Sequence, residues 1–171
     1  MGQVGAVTAQ VAAAMSYDGD GRRRRTEDSA GLRNIVWDRE NILAETDSGG
    51  STVARYTMAP RTYGEIVSQR RGGASAFHHF DALGSTRALT NAAQTATDTA
   101  DYKAFGLANA SSGSTTNPFR WVGQLGYYRQ PDTNDHWLRA RVYREAPGRF
   151  LSVNSRPMCT TGRRLMGTTF S

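Results

Sequence analysis

The sequence predicts an all-β protein built from short antiparallel hairpins, and three observations predict it. The chain of 171 residues holds 18 glycines and only 38% hydrophobic residues, a balance that favours many corners over a helix bundle. Turn signals recur along it, several directly after an aromatic–Asp pair. The stretches between them are short, rich in β-branched residues, and alternate in polarity as strands do. At this length the prior is one domain with a real core.

Residues 1–16 form a lead-in with no charged side chain, interrupted by Gln3, Thr8 and Gln10. They lack the basic start and continuous apolar run of a secretory signal. No window approaches the roughly 18 apolar residues of a spanning helix.

The pattern begins at Tyr17-Asp18-Gly19-Asp20-Gly21, an aromatic followed by a turn, with Arg22 to Thr26 leading out. Ile35-Val36-Trp37-Asp38-Arg39-Glu40-Asn41 repeats it; Asn41 stands where the second glycine stood, in reach of the left-handed region. Ile42 to Thr46, the turn Asp47-Ser48-Gly49-Gly50, and Thr52 to Met58 continue the series. His78-His79-Phe80-Asp81-Ala82-Leu83-Gly84-Ser85-Thr86-Arg87-Ala88-Leu89-Thr90 reads as strand, turn, strand. Alternation puts Thr86, Ala88 and Thr90 on one face of the second strand, with Arg87 and Leu89 on the other. Trp137 to Tyr143 reads as a further strand, with Trp137, Arg139, Arg141 and Tyr143 on one face and Leu138, Ala140 and Val142 on the other. The smaller face is expected to pack on the sheet, and the arginines to stack on aromatics across strands. Tyr17 to Trp37 is 20 residues, Trp37 to Tyr56 is 19, and Phe80 to Tyr102 is 22, a period that marks a repeat architecture.

These motifs resemble a known family. Tyr17-Asp18-Gly19-Asp20-Gly21-Arg22 and Trp37-Asp38-Arg39-Glu40-Asn41-Ile42 resemble the Tyr-Asp (YD) repeats of Rhs proteins. Phe80 to Thr90 resembles the start of the RHS repeat-associated core. Tyr102 with Phe105-Gly106, Asn117-Pro118-Phe119-Arg120-Trp121-Val122-Gly123-Gln124, Leu138 to Tyr143, and Gly148-Arg149-Phe150-Leu151-Ser152 follow in the expected order. The resemblance divides the chain into a YD-repeat-like region (17–75), a core-like region (76–152) and a basic tail (153–171). It marks Tyr17, Asp18, Gly19, Gly21, Trp37, Asp38, Asp81, Gly84, Ser85, Thr86, Tyr102, Gly106, Gly123, Arg139, Arg141, Tyr143, Gly148, Arg149 and Phe150 as structural motif positions.

The resemblance implies a β-sheet spiral that closes as a shell around a C-terminal toxin or other effector. It implies a role in contact-dependent bacterial competition and a secreted or cell-surface location. The implied partners are further YD repeats or an effector cargo, with no cofactor, metal or small-molecule substrate. The core usually carries an aspartate-dependent self-cleavage site after the Gly-Arg-Phe-Leu-Ser run; here Val153-Asn154-Ser155-Arg156-Pro157 follows instead. Self-cleavage is therefore not expected, and neither is any other catalysis. With the far end of the core unmatched, the chain is expected to be a fragment, or a module that works beside further repeats.

Other functions were weighed from the residues. The net charge of +6 divides into 16 basic and 14 acidic side chains over residues 17–143, and five Arg against one Glu over 144–171. Arg22 to Arg25 and the tail suggest nucleic-acid binding as the alternative function. His78 and His79 invite a metal or general-base role, but neighbours on a strand face opposite ways. Asp132, Asp135 and His136 read as turn chemistry in Pro131-Asp132-Thr133-Asn134-Asp135. Gly113-Ser114-Thr115-Thr116 reads as a mobile linker. Cys159, the single cysteine, excludes an internal disulfide within one chain.

Overall fold

A meander hairpin brings each strand beside the next, so a run of hairpin signals should yield one sheet in chain order. The computed structural model describes residues 14–139 and 141–151 and has that form. Strands β1 (Ala14–Tyr17), β2 (Arg23–Asp28), β3 (Gly31–Asp38), β4 (Asn41–Thr46), β5 (Thr52–Met58), β6 (Ile66–Arg71), β7 (Ala74–Phe80), β8 (Thr86–Thr90), β9 (Ala96–Tyr102) and β10 (Ala108–Ser112) pair in sequence order as one ten-stranded antiparallel sheet. β11 (Tyr128–Arg129), β12 (Asp135–Leu138), β13 (Arg141–Arg144) and β14 (Arg149–Phe150) form a second, four-stranded sheet. Among the described residues the helical element is a single 3-10 turn, Gly123–Leu125. The all-β fold class is as the sequence predicts. The lead-in up to residue 13, the tail from 152 onward, and with it Cys159, lie outside the described residues.

One loop design recurs. In the turn after β7, Asp81 Oδ1 accepts the amides of Leu83 (3.0 Å) and Ser85 (2.9 Å), while Gly84 N–H donates to Asp81 O and Asp81 N–H to Ser85 O. The same four bonds close the turns headed by Asp18, Asp47 and Asn91. Lys103 heads a fifth with the backbone bonds alone. This is a three-residue hairpin loop whose last member must take positive φ. Gly84 does so at 85°, and Gln94 at 62° where glycine is missing.

The Trp37-Asp38 turn is different, and corrects the expectation for Asn41. Asp38 pairs directly with Asn41, the two-residue loop puts positive φ on Arg39 (51°), and Asn41 opens β4. Its side chain instead accepts Gly64 N–H (2.8 Å) and donates to Arg61 O (3.0 Å), holding the 59–65 loop.

Where a strand follows such a turn, one residue slips out of register. Tyr17 faces Arg23 but Ser16 faces Arg25; Trp37 faces Ile42 but Val36 faces Ala44; Met58 faces Ile66 but Thr57 faces Ser68; Phe80 faces Thr86 but His79 faces Ala88. Arg24, Leu43, Val67 and Arg87 are the extra residues. Each bulge bends the strand and adds twist. It also resets the alternation, so β2, β4, β6 and β8 bury residues three apart: Arg23 with Thr26, Ile42 with Glu45, Ile66 with Gln69, Thr86 with Leu89. Leu89 therefore shares the buried face with Thr86, against the expectation from simple alternation. β5 and β7 keep period two, burying Ala54 and Tyr56, then Ala76 and His78.

The core lies where residues 117–150 cross that buried face. Ile35, Ile42, Ala54, Tyr56, Ile66, Phe119 and Tyr128 form one cluster, with Trp37, Met58, Phe80 and Trp137 against it. Trp121, Val122 and Tyr143 form a second, with Tyr102, Tyr127, Leu138 and Phe150 around it.

The stretch Trp137–Tyr143 is not one strand. It turns back on itself between Leu138 and Arg141, Trp137 pairing with Val142 and His136 with Tyr143. Arg139 sits in the reversal with φ 52°. Tyr143 is buried while Val142 is half-buried, so the expected division of faces fails. Strand alternation cannot reveal a tight reversal whose flanks are equally strand-like.

Candidate functional site

The core-like motifs converge on one joint between the sheets. Thr86 follows its turn directly, and its amide donates to Arg120 O (2.9 Å) while its hydroxyl donates to Phe119 O (2.7 Å). Ser85 Oγ accepts Val122 N–H (3.2 Å), and Gln124 N–H donates to Gly84 O (3.0 Å). A Cβ on Gly84 would meet Gln124 Oε1 at 2.9 Å, and one on Gly123 would meet Phe119 Cβ at 3.1 Å. Small residues are needed here because two backbones meet.

The turn after β9 supports the same joint. Tyr102 OH donates to Thr86 O (3.1 Å), a Cβ on Gly106 would lie 2.8 Å from the Trp121 ring, and Tyr143 OH donates to Phe105 O (3.1 Å). Trp121 stacks on Tyr143 at 4.8 Å, and Tyr143 meets Phe150 edge-on at 5.4 Å. Gly148 abuts the Phe105 ring. Arg141 lies 3.5 Å above the Phe150 ring; Arg139 lies 4.4 Å above Tyr63 and pairs with Glu40 at 3.1 Å. Arg149 is exposed on β14.

Tyr17, Asp18, Gly19, Gly21, Trp37 and Asp38 stand away from that joint, in the first hairpins. Trp37 Nε1 donates to Arg23 O (2.8 Å), the same gesture as Tyr102 to Thr86: each aromatic tip reaches the first carbonyl of the preceding strand. Tyr17 lies 6.2 Å from Trp137 across the two sheets.

Beneath these motifs lies a charged interior. Glu45, 1% exposed, accepts hydrogen bonds from Tyr56 OH, from Tyr128 OH at 3.1 Å and from Arg71 Nη2 at 3.0 Å, with Arg33 Nε at 3.9 Å. Burial pushes both phenols upward in pKa, and the carboxylate adds to it, so both remain neutral donors. Arg23, 2% exposed, lies over the Tyr128 ring at 4.4 Å and reaches Gln130 Oε1 at 3.4 Å. Burial pulls its pKa down, and Tyr128, Tyr17, Glu45 and Asp28 oppose that.

The histidines divide by side. His78 is buried and stacks on Phe80 at 5.9 Å, while His79 is exposed beside Thr90. His136 is fully buried on β12 between Trp121 and Tyr143, with Glu145 at 4.0 Å. Burial first, with His79 adding, lowers His78 to about 4; burial first, then Arg129 and Arg120, lowers His136 to about 4. Asp135 is likewise a strand residue, gripped by Arg144 through two bonds of 2.8 and 2.9 Å. The expected turn thus ends before Asp135; Asp132 alone serves a loop, accepting Ser29 N–H at 2.8 Å. Among the described residues no three His, Cys, Asp or Glu side chains gather as a metal site.

Sequence reasoning missed Glu45, Arg23, Arg71, Tyr128, Gln130 and His136. The bulge hides the first of these, because period-two alternation counts Glu45 away from the Ile42 face. The available signal was the recurring step of three from the first buried residue of each even strand.

Comparison with known proteins adds kinship. No family model matches the chain. It is 27% identical over 150 residues to the tRNA3(Ser)-specific nuclease WapA of Bacillus spizizenii and, equally, to the tRNA nuclease WapA of Bacillus subtilis, covering 85% of the chain in each case. The chain spans 6% of the length of these curated relatives. Among solved structures, it resembles TcdB2-TccC3 with a TM-score of 0.60 at 16% identity, and a Photorhabdus luminescens Tc holotoxin pore carrying a TccC3 mutation with 0.60 at 14%. Each match covers 84% of this chain and 8% of the other. These likenesses support a relation to the Rhs-type toxin proteins.

Proposed function

We propose that the chain is a non-catalytic structural segment of an Rhs-type shell. Residues 17–75 supply repeat hairpins to the wall, and 76–152 act as a core-like element that closes against it. The effector and further YD repeats belong to a longer polypeptide, and the assembly works outside the cell or at its surface. The observation that carries this reading is the bulge repeated at the same place in β2, β4, β6 and β8, which gives the wall a steady bend. The small share of its relatives that the chain spans supports it as well.

The tRNA nuclease activity in the names of the WapA proteins is theirs, and no part of it is assigned to this segment. The nucleic-acid alternative draws little from the Arg22 to Arg25 run: Arg23 is buried, Arg22 pairs with Asp20 at 3.1 Å and Arg25 with Glu27 at 3.6 Å. Two experiments test the proposal. Sequencing the DNA on both sides of the coding region is expected to reveal in-frame repeats or an effector frame; unrelated genes on both sides would overturn it. Incubating the purified chain with tRNA is expected to leave the RNA intact, and specific cleavage would make the segment an enzyme.

A further inference from the structure

Between β8–β9 and the segment 113–117 lies a cleft of about 340 Å³, a size that suits a small ligand or one side chain of a larger one. Its wall is fixed rather than loose. Asp98 Oδ1 accepts Thr115 N–H at 2.8 Å, its Oδ2 accepts the Thr115 and Thr97 hydroxyls, and Gln69 Nε2 donates to Thr116 O at 2.8 Å. The Gly/Ser/Thr stretch expected to be a mobile linker is tied down at two points.

The lining is unbalanced in charge. Arg87, Arg120 and Arg129 face Asp98 as the one acidic residue, and the Asp98 oxygens are already committed to the wall. Arg87 pairs with Asp101 on the exposed side. Arg129 has Glu145 at 3.6 Å, and that carboxylate is not part of the lining. Arg120 has no carboxylate within 4 Å among the described residues. Its backbone is locked, since Arg120 O accepts both Thr86 N–H and Gly123 N–H, so the guanidinium is presented from a rigid base. Arg120 and Arg129 also repel one another, and both hold down the pKa of His136 behind them. The Tyr102 phenol borders the same space.

We propose that this cleft is an oxyanion-binding site, with Arg120 and Arg129 as the paired donors for a carboxylate or a phosphate. Guanidinium forks suit both groups, and a water-poor cleft strengthens the contact. The site does not rest on the shell reading. Either an acidic peptide side chain or a free inorganic anion can supply the chemistry.

Isothermal titration calorimetry of the full chain tests it, using inorganic phosphate and, separately, a hexaglutamate peptide. Saturable one-to-one binding by at least one probe is expected; tighter binding of the peptide identifies an acidic segment as the source, and tighter phosphate binding a free anion. No saturable binding of either overturns the proposal. Arg120→Gln is expected to weaken binding by about tenfold or more, the loss of a charge-assisted bond. Arg55→Gln, which removes the same charge from the exposed face of β5, is the control. Equal weakening in both variants, or unchanged affinity in Arg120→Gln with a native melt, overturns it. Should Arg120→Gln fail to fold, Arg129→Gln is read by the same criteria.

Discussion

Glu45 shows how single residues secure this fold. Its carboxylate is shared among two tyrosines and Arg71, groups brought from β4, β5, β6 and β11. A buried ion pair adds little net stability over an apolar pair, yet breaking one side leaves an uncompensated charge. Glu45→Gln is therefore expected to cost about 3 kcal/mol in chemical denaturation, by stranding Arg71 and Arg33. The buried histidines give a pH signature. Their folded pKa values lie near 4, below the ordinary value of 6.5, so the unfolded chain binds more protons between those limits. Their stabilising effect is complete above pH 6.5 and lost as pH falls toward 4, up to about 3 kcal/mol for each. His136→Phe, which preserves the packing against Trp121 and Tyr143, is expected to flatten this slope in melts recorded from pH 7 to 4.

At the scale of elements, the turns that look alike in sequence are not equivalent. Asp81 satisfies two amides in its loop, and Asp38 in its two-residue loop has no such bond. Asp81→Ala is expected to destabilise by about 1 kcal/mol, and Asp38→Ala by less than about 0.5 kcal/mol, measured by urea unfolding. Much of the sheet was legible because each turn carries its own chemistry: Asp at the head and Gly at the left-handed position mark a hairpin wherever they stand. The joint was legible through the motif residues Gly84, Ser85, Thr86, Gly106 and Gly123, though their mutual contact was not. The bulges were invisible, since a slip of one residue depends on the partner strand. They in turn concealed the inward-facing Thr26, Glu45, Gln69 and Leu89. The reversal at Arg139 escaped for a related reason, as Arg is an uncommon residue at positive φ.

Across the whole molecule, β1 and β10 are the outer strands of the large sheet, each with one partner among the described residues. All five residues of β10 are exposed. Such edges pair with other strands unless charge or shape prevents it. Sedimentation velocity of the isolated chain is expected to show concentration-dependent association, and Ala110→Lys with Ser112→Lys to suppress it. A monomer at all concentrations would count against edge pairing as the means by which further repeats join.

Every odd-numbered strand from β1 to β9 runs toward the same rim, and there it delivers Tyr17, Trp37, Met58, Phe80 or Tyr102 to the turn. Lengthening or shortening the wall is thus a matter of parity. Removing two neighbouring strands keeps the aromatic row on its rim and every bulge in phase. Removing one would carry all later aromatics to the opposite rim and turn the bend inside out. The wall can change size only in steps of a hairpin.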